Sequence, residues 1–329
     1  MFYILLQLLS GEIFDTIFRS HKGWNMLEKE IKNIREKVAE WKKLGLTVGL
    51  VPTMGALHKG HLSLIKKSVE TCDKTVVSIF VNPIQFGPSE DLDKYPRTLD
   101  ADLELCKSAG VDLVFVPTAT EMYCGEVGKP SPLAGEGERS SGEGSIGILS
   151  NDFLTYIAPP YFYVDKLCAK SRIGHFDGVC TVVMKLFNIV QPDVSFFGQK
   201  DAQQLIIIKK MVKDLNIPIE IAGCPIVREE SGLARSSRNK YLSAQGKEDA
   251  LALSKILFNI KACYAKGITE VKALSETALS FLNERHELEY LEFVDKNNLE
   301  IKNIADDNTL VLLALKTDGV RLIDNCFIK

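Results

Sequence analysis

In the stretch LVPTMGALHKGHLSLI, residues 50–65, two histidines (His58 and His61) and two glycines (Gly55 and Gly60) stand between a short apolar run and a helical pattern. Residues 47–51 are mostly apolar and β-branched, which reads as a buried strand. From Lys59 onward, Leu62, Ile65 and Val69 recur at helical spacing. The glycines therefore fall on a strand-to-helix turn, where backbone N–H groups and the positive end of a helix dipole can meet a phosphate. His58 and His61 are three positions apart, so both rings belong on one face of the first helical turn. Imidazoles placed there can donate to phosphate oxygens as charge develops on them. The plainer readings of such a pair are incidental surface histidines or a metal site, and no third ligand stands nearby for the latter.

A turn of this kind needs a sheet to hold it. A helix is predicted over 29–44, with the stripe Ile31, Ile34, Val38 and Trp41 and with Gly45 as its C-terminal cap. Further strands are predicted at 75–81, 113–116, 194–197 and 219–222, and helices at 98–108, 178–190 and 202–214. Apolar strands alternating with helices imply an α/β fold with a Rossmann-like parallel sheet. Ligands in such sheets bind at the carboxyl ends of the strands. Residues 52–61, 82–86 and 198–204 all follow such ends. Near Ile226 the alternation gives way to the loop VREESGLARSSRNKYLS, two helical stretches, and strands at 288–295, 310–315 and 321–325. The last two strands are joined by a Thr317-Asp318-Gly319 turn. The expected organisation is a domain over 26–225 and a smaller α+β domain over 226–329. Residues 1–25 are an extension outside the fold, and a Gly/Ser/Glu-rich insertion falls near 124–160.

The 329 residues carry a net charge of −3 and are 46% hydrophobic, an ordinary soluble composition without the basic excess of a nucleic-acid binder. Eight cysteines are scattered with no CxxC pair, which suggests neither a zinc site nor a disulfide framework and fits a reducing cytoplasm. The leading MFYILLQLLSGEIF is apolar but lacks a basic segment and a small-residue cleavage site. It is also too short to span a bilayer, so no membrane role is expected, and Met26 is an alternative start.

HxGH on a strand-to-helix turn resembles the signature of the HIGH superfamily of nucleotidyltransferases. Four longer segments resemble the pantothenate synthetase (pantoate–β-alanine ligase) family: VPTMGALHKGHLSLI, SIFVNPIQFGPSEDLDKYPRTLDADL, SRIGHFDGVCTVVMKLFNIVQPDVSFFGQKDAQQL and VREESGLARSSRNKYLS. The ending GVRLIDN is also similar. Four long motifs in one order are far more specific than a lone HxGH. The resemblance implies ATP-dependent condensation of pantoate with β-alanine through an adenylate, with Mg²⁺, in a homodimer.

Carried over residue by residue, the resemblance places ATP against Met54, Gly55, Ala56, Leu57, His58, Lys59, Gly60 and His61, with His61 as proton donor. The glycines suit close backbone approach. It adds Gly198, Gln199, Lys200 and Asp201, where Lys200 neutralises phosphate charge and Asp201 is the candidate magnesium ligand. In the ARSSRN loop it adds Val227, Arg235, Ser236, Ser237 and Arg238, whose hydroxyls and guanidinium suit a leaving pyrophosphate. Gln85 and Gln204, with Asn82, are the implied contacts for pantoate and β-alanine. Neutral amides can hydrogen-bond a hydroxy acid without quenching its nucleophilic carboxylate. Arg172 and His175 lie in SRIGHFDG, with Arg172 a candidate to close over the intermediate.

The chain departs from the family's pattern in four places. Gln199 replaces Glu, Arg235 replaces Met or Leu, Ile173 replaces Pro, and the segment between Met122 and Lys166 is longer and dissimilar. Arg235 either adds to phosphate binding or points to solvent. Two rival readings are another nucleotidyltransferase of the same superfamily, which would not need Gln85 and Gln204 together, and a non-catalytic nucleotide-binding protein degenerated through the insertion.

Overall fold

The computed structural model describes residues 26–87, 90, 92–123 and 155–329. The predicted extension over 1–25 and most of the predicted insertion lie outside the described residues. Six strands form a parallel sheet: β1 (Leu27–Glu28), β2 (Val48–Thr53), β3 (Lys74–Ile79), β4 (Leu113–Phe115), β5 (Val194–Gly198) and β6 (Glu220–Cys224). Their order is β1-β4-β3-β2-β5-β6. The chain winds outward from β2 through β3 to β4, then returns to place β5 on the other side of β2. That reversal opens a crevice between β2 and β5 at their carboxyl ends.

Alternate residues of the strands enter different cores, as a sheet buried on both faces requires. Leu50, Val76 and Phe197 pack on one side, Val51, Val77 and Phe196 on the other. The first core is closed by α1 (Ile31–Lys43) through Ile34, Val38 and Trp41, which is the predicted stripe. Helix α1 starts at Ile31 and not at Lys29, because Leu27 and Glu28 pair with β4 instead. The second core is closed by α2 (Lys59–Thr71), but its buried face is Leu64, Ile65 and Ser68, and Val69 is 37% exposed. The predicted Leu62/Val69 stripe is thus rotated by about one residue. The hydroxyl of Ser68, fully buried, meets that of Thr75 at 2.8 Å.

The other helices of this region are α3 (Leu99–Ser108), α4 (Ala119–Tyr123), α5 (Tyr161–Val164), α6 (Cys168–Ser171), α7 (His175–Val190) and α8 (Ala202–Asp214). Helix α7 starts three residues before the predicted Gly178. Gly178 is inside it because a Cβ there would lie 2.6 Å from the Gln85 Cα and the Ile84 carbonyl oxygen.

The C-terminal part is an antiparallel sheet of β7 (Glu287–Asp295), β8 (Thr309–Thr317) and β9 (Val320–Phe327), with α9 (Ala244–Ala265) and α10 (Val271–Leu279). Val311, Leu313 and Leu315 of β8 share a core with Leu253, Ile256 and Leu257 of α9. Leu310 and Leu312 face the opposite way and belong to the core of the parallel sheet. Strand β8 therefore joins the two parts. The predicted turn between β8 and β9 is a two-residue one, with Asp318 at φ 52° and Gly319 at φ 73°, the geometry that matches strand twist. Among the described residues no helix is long and apolar enough to cross a membrane.

Candidate active site

A cavity of about 240 Å³ occupies the crevice at the carboxyl ends of β2, β3, β5 and β6. One wall is the turn from β2 into α2. Gly55 has φ 82°, and an added Cβ would meet Ile79 and the Asp102 carboxylate at 3.1 Å, so only glycine fits. Asp102, 2% exposed, accepts from the N–H groups of Ala56 at 2.9 Å and Leu57 at 2.8 Å. His58 caps α2: its Nδ1 accepts from the Gly60 N–H at 3.1 Å, while the His61 Nδ1 faces the His58 N–H at 3.4 Å. The N–H groups of Ala56, Leu57, His58 and Gly60 are thus all engaged by the protein's own side chains. The turn also offers two imidazole edges to the cavity.

The rings of His58 and His61 lie 4.2 Å apart. Each Nδ1 accepts a backbone proton, so each Nε2 carries the ring proton and is a donor. Burial first, then the Lys200 cation, lowers His58 from 6.5 to about 4. Burial first, then neighbouring His58, lowers His61 to about 3. Both are neutral hydrogen-bond donors near pH 7 before any ligand binds.

Beside them lies a wall of neutral amides. After β3, a short 3₁₀ turn over Pro83–Gln85 brings Asn82 and Gln85 to the cavity, and Gln204 reaches it from the first turn of α8. Asn82 Nδ2 donates to Gln85 Oε1 and to the Gly178 carbonyl, each at 3.1 Å, and Gln85 Nε2 faces the Met54 sulfur at 2.8 Å.

Another part of the lining is cationic. Lys200 and Asp201 follow β5, with Nζ and Oδ1 3.7 Å apart, and both line the cavity. Residues 228–234 form a small hairpin, tied at its base by the Arg235 N–H donating to the Val227 carbonyl at 2.9 Å. Val227, Arg235, Ser236, Ser237 and Arg238 line the cavity from that base. Arg235 faces inward: its buried Nε has no hydrogen-bond partner among the described residues, and Glu229 lies 3.8 Å away. The whole wall hangs on β9. Asn325 Nδ2 donates to the carbonyls of Gln199 and Lys200, both at 2.9 Å. Asp324 takes both arms of Arg228, at 2.6 and 2.9 Å.

The cavity thus brings together Met54, His58, Gly60, His61, Asn82, Gln85, Gly198, Lys200, Asp201, Gln204, Val227 and the 235–238 run. Gly55, Ala56, Leu57, Lys59 and Gln199 are not on its lining. Gly55, Ala56 and Leu57 shape the turn, and the Gln199 carbonyl takes part in the β9 anchor. Arg172 lines the cavity held bidentately by Glu90, at 2.6 and 2.7 Å, with its third arm 2.8 Å from His175 Nε2. Burial first, then the Arg172 charge, holds His175 well below its ordinary value. Sequence reasoning missed Asp102, Glu90, Tyr123, Arg228, Asp324 and Asn325 as supports. Glu90 and Asp102 lie within one quoted family motif, Arg228 lies within another, and Asp324 and Asn325 close the GVRLIDN ending, so a signal existed for those five.

The family model for pantoate–β-alanine ligase matches residues 26–327. The chain belongs to the pantoate–β-alanine ligase family. It is 47% identical over 303 residues to the pantothenate synthetase of Clostridium novyi, covering 91% of this chain and 97% of that protein. Among solved structures, the pantothenate synthetase of Thermus thermophilus matches with a TM-score of 0.79 at 35% identity, over 92% of this chain and 99% of that one. The pantoate–β-alanine ligase of Francisella tularensis, solved as a complex with an ATP species and β-alanine, matches with a TM-score of 0.70 at 32% identity, over 92% and 97%. The doubly wound parallel sheet with a small antiparallel sheet is the fold of this ligase family. The chain is accordingly an enzyme, a ligase of pantothenate biosynthesis.

Proposed function

We propose that this ligase activates pantoate with ATP to pantoyl adenylate, then transfers the pantoyl group to β-alanine, releasing pyrophosphate and AMP. The observation that carries the reading is one cavity whose lining combines neutral amides with a set of cations. The amides of Asn82, Gln85 and Gln204 suit a hydroxy acid whose carboxylate must stay nucleophilic. Lys200, Arg238 and Arg235 suit a triphosphate. The ligands named for the Francisella tularensis relative, an ATP species and β-alanine, support the same substrates here.

In the first step a pantoate carboxylate oxygen attacks the α-phosphorus and the bond to pyrophosphate breaks. Lys200 and Arg238 offset the charge that grows on the phosphate oxygens, and Ser236 and Ser237 supply hydroxyl donors to the departing pyrophosphate. The Nε2–H groups of His58 and His61 donate hydrogen bonds to the same oxygens, and this is the donor role of His61 as a neutral imidazole. In the second step the neutral β-alanine amine attacks the activated carbonyl, the bond to the AMP oxygen breaks, AMP leaves, and the surplus proton on the new amide nitrogen is lost to solvent. No protein nucleophile takes part; orientation and preorganised charge carry the rate.

Among the described residues there is no cluster of three or more His, Cys, Asp or Glu able to cage a metal. A single carboxylate, Asp201, half-exposed on the lining, fits the way Mg²⁺ is held in ATP sites, by one or two carboxylates plus substrate phosphates. When bound, Mg²⁺ would neutralise triphosphate charge. A division into domains over 26–225 and 226–329, a homodimeric state and a cytoplasmic location complete the reading.

The test is pantoate-dependent exchange of labelled pyrophosphate into ATP, followed by β-alanine-dependent release of AMP. Exchange confined to pantoate supports the reading. ATP binding without exchange would leave a nucleotide-binding protein in place of the ligase.

A further inference from the structure

Tyr123 closes α4, is fully buried, and is not on the cavity lining. Its hydroxyl nevertheless lies 2.6 Å from Asn82 Oδ1. Asn82, 1% exposed, is the next link, with Nδ2 3.1 Å from both the Gly178 carbonyl and Gln85 Oε1. The direction of every bond in this chain follows from one fixed point. A backbone carbonyl can only accept, so the Asn82 atom facing Gly178 must be the NH₂ group. The other end of that amide is then its oxygen, and Tyr123 must donate to it. The second proton of Asn82 Nδ2 points at Gln85, so the Gln85 atom that meets it must be Oε1. Gln85 is left with its NH₂ turned toward Met54 and the cavity. Burial raises the Tyr123 phenol far above its ordinary range, so it stays a protonated donor at any working pH.

We propose that Tyr123 is a positioning residue that, together with the Gly178 carbonyl, holds Asn82 and through it keeps the Gln85 amide presented as a hydrogen-bond donor, which selects an acceptor oxygen of the acid substrate at that point of the cavity. The proposal rests on the reading of this cavity as the pantoate site. Gly178 belongs to the same device, because its missing side chain is what lets α7 press its carbonyl against the 83–85 turn.

Removing the Tyr123 hydroxyl leaves the Asn82 oxygen buried without its donor, so the Gly178 carbonyl alone is left to hold the Asn82 and Gln85 amides in their orientation. Tyr123→Phe is expected to raise the KM for pantoate about tenfold, the loss of roughly one well-placed hydrogen bond, while the KM for ATP stays within about twofold. The decisive measurement repeats the substitution in a Gln85→Glu background. A carboxylate has two equivalent acceptor oxygens and no orientation to fix, so Tyr123→Phe should add less than about twofold there. A Tyr123 that only fills space would add its full effect in both backgrounds and shift both KM values together. Either result overturns the proposal.

If Tyr123→Phe does not fold, as read from its thermal melt, Asn82→Asp serves in the same assay. It keeps the acceptor for Tyr123 and removes the donors to Gly178 and Gln85, and should raise the pantoate KM at least as much. An unchanged pantoate KM in Asn82→Asp would also overturn the proposal. Absence of any pantoate turnover by the unsubstituted enzyme would instead remove the functional reading itself. That outcome is distinct from a pantoate-active enzyme indifferent to Tyr123.

Discussion

The two walls of the cavity are built on opposite plans. The wall from β2, α2 and the 82–85 turn is neutral and braced from within the parallel-sheet part of the molecule. Asp102 takes the amides of its turn, its two histidines cap one helix reciprocally, and Asn82 and Gln85 hold each other. The wall from residues 198–201 and 225–238 carries the cations and is braced from outside, by Asp324 and Asn325 of β9. A neutral wall keeps a carboxylate nucleophilic, and a cationic wall stabilises the charge that carboxylate pushes onto phosphate. The difference also implies different failure modes. Damage to the first wall should alter recognition of the acid. Damage to the second should alter phosphate chemistry, or release the loop from the C-terminal sheet.

The largest expected effect is on the cationic wall. Lys200→Ala should lower kcat by about 10²–10³-fold, the usual scale for removing one preorganised donor to developing charge. Steady-state kinetics should show the loss mainly in kcat, with pantoate KM nearly unchanged. A selective rise in pantoate KM would mean the two walls are not divided as described.

Next in size are the two braces. Asp324→Ala strands the Arg228 guanidinium beside a buried position and should cost about 3 kcal/mol in urea unfolding, with a raised KM for ATP. Asp102→Ala leaves two turn amides unpaired and should cost about 1–3 kcal/mol. Because Asp102 braces the neutral turn, the ratio of kcat to ATP KM should fall less for it than for Asp324→Ala at matched stability.

A smaller effect separates the walls by pH. His58 and His61 are held neutral in the fold, at about 4 and about 3, while the unfolded chain protonates them near 6.5. The unfolded state therefore binds more protons below pH 6.5. Stability is at its full value above that pH and falls as the pH drops through the window toward about 4. Buried His175 has the same sign. Urea midpoints measured from pH 7 to pH 4.5 should decline, and a His58→Gln, His61→Gln double variant should flatten the decline. The smallest effect is Arg235→Leu, which restores the residue type that the family resemblance implies. It should raise the ATP KM by no more than about threefold, a surface-scale change in a site that keeps Lys200 and Arg238.

What the sequence made legible and what it hid follow from how local each signal is. The Ile34/Val38/Trp41 stripe, the His58-Gly60-His61 turn and the Asp318-Gly319 hairpin are set by near neighbours, and all stand where pattern places them. Gly178 breaks a helix by propensity, yet it lies inside one, because its close approach to Gln85 is a tertiary fact. The braces were hidden for the same reason. Asp102 is some 45 positions from the amides it holds, and Asp324 is 96 from Arg228. Ala56, Leu57, Lys59 and Gln199 belong to the quoted motifs and are not on the cavity lining.

The central claim, activation of pantoate as an adenylate between these walls, is tested most directly with pantoate labelled by ¹⁸O in its carboxylate, turned over with ATP and β-alanine. The account predicts one labelled oxygen in AMP and none in pyrophosphate, because the pantoate oxygen that attacks the α-phosphorus leaves with AMP when the amine displaces it. Label in inorganic phosphate with release of ADP, or unlabelled AMP alongside pantothenate, would contradict it.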